Sequence, residues 1–162
     1  MREVYINDLG LEFKSLTNRQ KTDLVVIHHT GDGVDRDYHA TDIHRMHLNQ
    51  GWSGCGYHYV ISKEGSIEAG RPHWCVGAHD DNTNSHSIGI HVSGDFNVGK
   101  PTPAQIESTA LVLAKICTDY GLPITEEFVV GHRDTNSTAC PGDNLYEILQ
   151  TIRGKAIWYQ QN

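Results

Sequence analysis

Clustered positive charge is missing from this sequence. Its 162 residues hold 13 lysines and arginines against 20 acidic residues, for a formal net charge of −7. Proteins that grip phosphate backbones group their Lys and Arg side chains, so this balance speaks against nucleic acid as a partner. It also removes any general attraction to anionic polymers or membrane surfaces. Long apolar runs are missing as well, and none reaches the length that crosses a bilayer. The opening MREVYINDLG has no apolar segment of the kind that directs export. No C-x-x-C pair occurs among Cys55, Cys75, Cys117 and Cys140, which sets aside zinc-ribbon and dithiol redox chemistry. Repeats, low-complexity tracts and linkers are absent too. The expectation is one globular domain over residues 1–162, a monomer, with its core at about 22–150.

What is present reads as α/β. The run LVVIH (24–28) ahead of Thr30-Gly31 predicts a buried strand with His28 at its C-terminal end. GYHYVIS (56–62) alternates, with Tyr57, Tyr59 and Ile61 expected on one face and His58 and Val60 on the other. Residues 66–69 are expected to pair back as a hairpin, and SIGIHV (87–92) and EFVVG (127–131) complete the strands. Three helices are predicted. The first spans 38–50 with Ile43, Met46 and His47 sharing a face, and the last spans 144–153. Between them, 103–120 carries a Thr102/Gln105 capping box, Pro103 in its first turn and a Gly121 stop. The sum is a central mixed sheet flanked by about three helices.

Histidine is plentiful, with 11 copies. The segment GHRDTNSTACPGD (131–143) holds His132 and Cys140 in a stretch that Pro141 and the Thr-Asn-Ser run keep from being helical. A loop leaving a strand can fold back and bring both side chains to one point, and His28 at another strand end can supply a third donor. Two imidazoles and one thiolate are borderline-soft ligands suited to Zn²⁺, and three protein ligands leave a fourth position open, as catalytic zinc sites do. His39, His44 and His47 are spaced so that they do not converge on one metal. Cys117 falls in the apolar stripe of its helix, and the pairing of Cys55 with Cys75 stays open.

The segments VVIHHT (25–30), GCGYHYVIS (54–62), VGAHD (76–80), NSHSIGIHVSGDF (84–96) and GHRDTNSTACPGDNLY (131–146) resemble, in order, those of zinc-dependent N-acetylmuramoyl-L-alanine amidases of the type-2 class. That class includes phage lysozyme-amidases and the peptidoglycan recognition proteins. The resemblance implies a mixed sheet flanked by helices with one zinc in a surface groove. It also implies hydrolysis of the amide joining N-acetylmuramic acid to L-alanine in peptidoglycan. His28, His132 and Cys140 match the zinc ligands, Tyr57 a tyrosine that assists catalysis, and Thr138 a position that is lysine in some phage enzymes and threonine in many recognition-protein amidases. A hydroxyl there can orient water or donate to an oxyanion but brings no charge.

The resemblance extends to the groove. It makes His79 a contact for the muropeptide, and Arg71 either a partner for a stem-peptide carboxylate or a structural ion pair. His91 stands where cytosolic recycling amidases carry a catalytic glutamate; it is expected to be a proton carrier, a substrate contact or a half-buried strand residue. Family members that only bind peptidoglycan usually lack the cysteine ligand, so Cys140 favours an enzyme over the alternative of a non-catalytic binding protein. A further alternative is a closed structural site with His58 or His91 as fourth ligand. The expected setting is the cell wall, reached by release from a host cytoplasm for a phage protein or by export if a leader has been removed.

Overall fold

In the computed structural model, which describes residues 2–162, the expected α/β architecture is present. Five strands form one mixed sheet: β1 (Leu24–His29), β2 (Tyr59–Ile61), β3 (Ile67–Ala69), β4 (Ser87–Val92) and β5 (Val129–Gly131), in the order β3-β2-β4-β1-β5. Strand β4 lies at the centre; β1 sits between β4 and β5 and is parallel to both, while β2 runs parallel to β4 and antiparallel to β3. Four helices accompany it: α1 (Ala40–Asn49), α2 (Pro103–Tyr120), α3 (Asp143–Tyr146) and α4 (Leu149–Gln161). None of the helices is long and apolar enough to cross a membrane.

Alternation along β1 and β4 separates two chemistries. Val25 and Ile27 on β1, with Ile88, Ile90 and Val92 on β4, face the main core, which α2 and α4 cover. His28 and His91 are paired in register on the opposite face, where polar groups must find partners. Helix α2 begins as its sequence specifies: Thr102 Oγ1 accepts from Gln105 N at 3.0 Å and Gln105 Oε1 accepts from Thr102 N at 3.1 Å. It ends at Gly121, whose φ of 66° lies in the left-handed region that glycine tolerates.

Several expectations are corrected. The last helix is two, α3 and α4, and α4 continues well past residue 153, burying Ala156 and Tyr159 in the main core. On α1 the buried face holds Ala40, Ile43, His44 and His47, while Met46 is exposed. The two histidines are inside because each does hydrogen-bonding work. His44 Nδ1 accepts from Cys55 N at 2.9 Å, His44 Nε2 reaches Glu12 O at 2.8 Å, and His47 Nδ1 accepts from Gly56 N at 2.8 Å. The start of α1 is held by buried Glu68, which accepts from Ala40 N at 2.7 Å.

Tyr57 also departs from the simple alternation. The carbonyls of Tyr57 and His58 both accept from the neighbouring segment, from Arg71 N and Gly70 N. Two successive residues bonding on one side interrupt the period of two. Tyr59 and Ile61 therefore face the main core, while Tyr57 packs with Val60 on the histidine side.

Candidate metal centre

The site is assembled from two adjacent strand ends and one loop. His28 comes from the C-terminal end of strand β1, and His132 follows β5 directly. The loop after His132 folds back because Arg133 N donates to Cys140 O at 2.9 Å. Asp134 pins its base, accepting from Gly131 N at 3.0 Å and from Tyr146 Oη at 2.5 Å. Cys140 is thereby set beside β1, where its sulfur accepts from His29 N at 3.4 Å. The ligating atoms of His28, His132 and Cys140 all lie within 4.8 Å of one another. This is the only such group among the described residues, and His58 and His91 are not part of it.

The protonation states suit a metal. Burial holds His28 far below the ordinary imidazole value, with His79 and His132 adding to the effect. Burial lowers His132 too, against the pull of Asp80 and Asp81. Both rings are neutral near pH 7 and carry a free lone pair. Burial pushes the Cys140 thiol up to about 12, so the thiolate forms there when a cation enters to balance it.

Two adjoining hollows flank the centre. One, roughly 350 Å³, is lined by His28, Tyr57, His132, Thr138 and Cys140. The other, also roughly 350 Å³, is lined by Trp52, Tyr57, Asp81, His132 and Asn136. Tyr57 borders both, its ring edge-on to His28 at a centroid distance of 5.1 Å. Burial raises its phenol far above the usual value, so it stays a hydrogen-bond donor. Thr138 is exposed on the rim and its hydroxyl accepts from Cys140 N at 3.2 Å. Trp52, 40% exposed beside the second hollow, was not singled out by the sequence, since nothing local distinguishes a groove aromatic from a loop one. A larger hollow of about 650 Å³, lined by Glu126, Glu127, Glu147 and Arg153, lies away from the histidines.

The comparisons with known proteins agree with this geometry. The family model described as N-acetylmuramoyl-L-alanine amidase (Amidase_2) matches residues 18–143. The chain belongs to the type-2 N-acetylmuramoyl-L-alanine amidase family. It is 32% identical over 134 residues to an endolysin of Klebsiella phage KP32, covering 80% of this chain and 86% of the relative. Peptidoglycan-recognition protein SC2 of Drosophila melanogaster is 33% identical over 132 residues, 78% of this chain and 71% of that one. Among solved structures, N-acetylmuramoyl-L-alanine amidase LysC from Clostridium intestinale superposes with a TM-score of 0.83 at 30% identity, covering 92% of this chain and 97% of that one.

Within this amidase fold the three expected groove contacts have other surroundings. Arg71 is buried and its guanidinium donates to three backbone carbonyls, of Cys55 at 3.0 Å, Val76 at 3.2 Å and Gly54 at 3.4 Å. It forms no ion pair among the described residues, and three of its five N–H groups are spent on these carbonyls. His91 is fully buried rather than half-buried. It lies beneath Tyr57, ring centroids 4.7 Å apart, with Nε2 on Thr30 Oγ1 at 2.8 Å, so the sheet and Tyr57 keep it from contacting substrate. His79 is buried in the wall of both hollows, with Nδ1 on His28 Nε2 at 2.9 Å and Nε2 on Ser87 Oγ at 3.2 Å, so both nitrogens have partners within the protein. His29, as alternation predicts, turns to the other face and accepts from Phe96 N at 3.1 Å. Cys55, Cys75 and Cys117 are buried free thiols.

Proposed function

We propose that the chain is a zinc amidase that hydrolyses the bond between N-acetylmuramic acid and L-alanine in peptidoglycan. The observation that carries this reading is the convergence of His28, His132 and Cys140 beside an open groove. The donor set fits zinc. His28 Nδ1 and Cys140 Sγ are 3.7 Å apart, and ligands on tetrahedral Zn–S and Zn–N bonds stand about 3.6 Å from each other. His28 Nε2 is occupied by His79, which leaves Nδ1 as the nitrogen that faces the sulfur.

Bound there, zinc supplies Lewis acidity that polarises a carbonyl and makes water a usable nucleophile near neutral pH. The chain's own residues do the rest. Tyr57, kept protonated by burial, donates to the amide oxygen as negative charge develops on it. Thr138 on the rim offers a second, uncharged donor. Asp81, Asn136 and Trp52 line the hollow beside His132, where they present polar groups and an aromatic face to the remainder of a muropeptide. The intact Cys140 favours hydrolysis over recognition alone.

The test joins metal content to product. Purified protein is assayed for zinc and for release of new L-alanine amino termini from peptidoglycan, with and without a chelator. Stoichiometric zinc and chelator-sensitive release are expected. Zinc without release would move the reading to a binding protein, and absence of zinc would remove it.

A further inference from the structure

A buried chain of hydrogen bonds runs away from the metal centre. His28 Nε2 meets His79 Nδ1 at 2.9 Å, and His79 Nε2 meets Ser87 Oγ at 3.2 Å. Ser87 Oγ meets Thr83 Oγ1 at 3.1 Å, and Thr83 Oγ1 donates to Asp80 Oδ2 at 2.9 Å. The same carboxylate gathers the loop that carries His132. Thr135 Oγ1 donates to Asp80 Oδ2, Asn136 Nδ2 reaches Asp80 Oδ1 at 3.4 Å, and His132 Nε2 lies 3.7 Å from Asp80 Oδ1. His132 Nε2 is buried and has no hydrogen-bond partner of its own. Asp80 is itself only 2% exposed.

Direction follows from the end group. A carboxylate only accepts, while each neutral imidazole or hydroxyl in the chain gives one proton and takes one. With Asp80 accepting from Thr83, the donors must run His28 to His79 to Ser87 to Thr83 to Asp80. His28 then carries its proton on Nε2, and its Nδ1 keeps the lone pair.

We propose that Asp80 is a positioning residue of the metal centre: through Thr83, Ser87 and His79 it fixes the tautomer of His28, and through Thr135 and Asn136 it holds the loop that presents His132. This rests on the zinc reading above and assigns to one carboxylate the joint alignment of both histidine ligands. Outer-shell partners of this kind orient metal-bound histidines elsewhere, and their loss weakens metal binding about 10- to 100-fold. Gly89 is part of the arrangement, since a Cβ there would sit 2.5 Å from His79 Cγ.

The experiment measures zinc affinity by competition with a chromophoric chelator in the full chain, alongside folding of the metal-free protein by circular dichroism. Asp80→Ala is expected to weaken zinc by about 10- to 100-fold. Thr83→Val keeps the shape but cuts the chain, and should weaken zinc in the same direction. Thr83→Ser restores the hydroxyl and should return affinity to within about twofold of the parent, which a packing role alone would not require. Nitrogen NMR of the metal-free parent should show His28 protonated on Nε2, and Thr83→Val should mix its tautomers. Parent-like zinc affinity in both Asp80→Ala and Thr83→Val would overturn the proposal while leaving the metal site standing. A parent that binds no zinc would overturn both.

Discussion

Cys140 and Tyr57 make contrasting bets at the scale of single residues. Cys140→Ser replaces a soft ligand by a hard, weakly acidic one, so zinc and hydrolysis should both be lost while the metal-free fold survives. Metal analysis and circular dichroism on the purified variant check this, and a variant with full zinc and activity would remove the ligand assignment. Tyr57→Phe keeps the ring against His28 and His91 and deletes only the donor. It should lower kcat by about 10²- to 10³-fold, the usual cost of one oxyanion donor, with KM little changed. Equal falls in binding and turnover would instead make Tyr57 a substrate contact.

At the scale of elements, legibility in the sequence followed locality. Helix α2 was readable to both ends because its cap, its Pro103 and its Gly121 all lie within the segment they control. Strand β1 was readable from its unbroken apolar run, β4 from Ile88, Ile90 and Val92 recurring on one face, and the ligand triad from strand ends plus a helix-breaking loop. The side of β2 that Tyr57 takes was not, because an interruption shared with residues 70 and 71 decides it. His79 and Asp80 stood in a segment that pointed to the groove, yet their partners Ser87, Thr83 and His28 are brought to them only by the fold.

Arg71 belongs to this scale as well, since it ties the 54–55 segment to the carbonyl of Val76 beside the end of β3. Arg71→Ala leaves those buried acceptors unpaired, which should cost about 1–3 kcal/mol of stability. Denaturant unfolding would read that loss, and KM for peptidoglycan fragments should stay put. A raised KM with unchanged stability would return Arg71 to the substrate groove.

For the whole molecule, the buried histidines dictate the response to acid. Burial takes His47 down to about 4 and His91 to about 3, and holds His58 well below its ordinary value. Above pH 6.5 these rings are neutral in both folded and unfolded chains and contribute nothing to pH dependence. Below 6.5 the unfolded chain takes up protons that the folded one refuses, so stability falls as pH drops toward 4. Each such proton costs roughly 1.4 kcal/mol per pH unit. His39 works the other way: its bond to Glu68 raises it, so its contribution is present below 6.5 and fades as pH rises through the raised value. Three rings outweigh one. The metal-free protein should therefore unfold steeply between pH 6.5 and 4, and urea melts showing flat stability across that range would contradict this.

The place of β1 between β4 and β5 also sets a clock. Its two neighbours are β4 and β5, so the strand that carries His28 cannot be flanked on both sides until Gly131 has been made. A ribosome adds about 5–20 residues per second, which leaves His28 waiting on the order of 5–20 s for His132 and Cys140. Throughout that interval the nascent chain has no means of cutting anything. Competence thus waits until Cys140 has been made, and a chain broken off before it lacks the full ligand set.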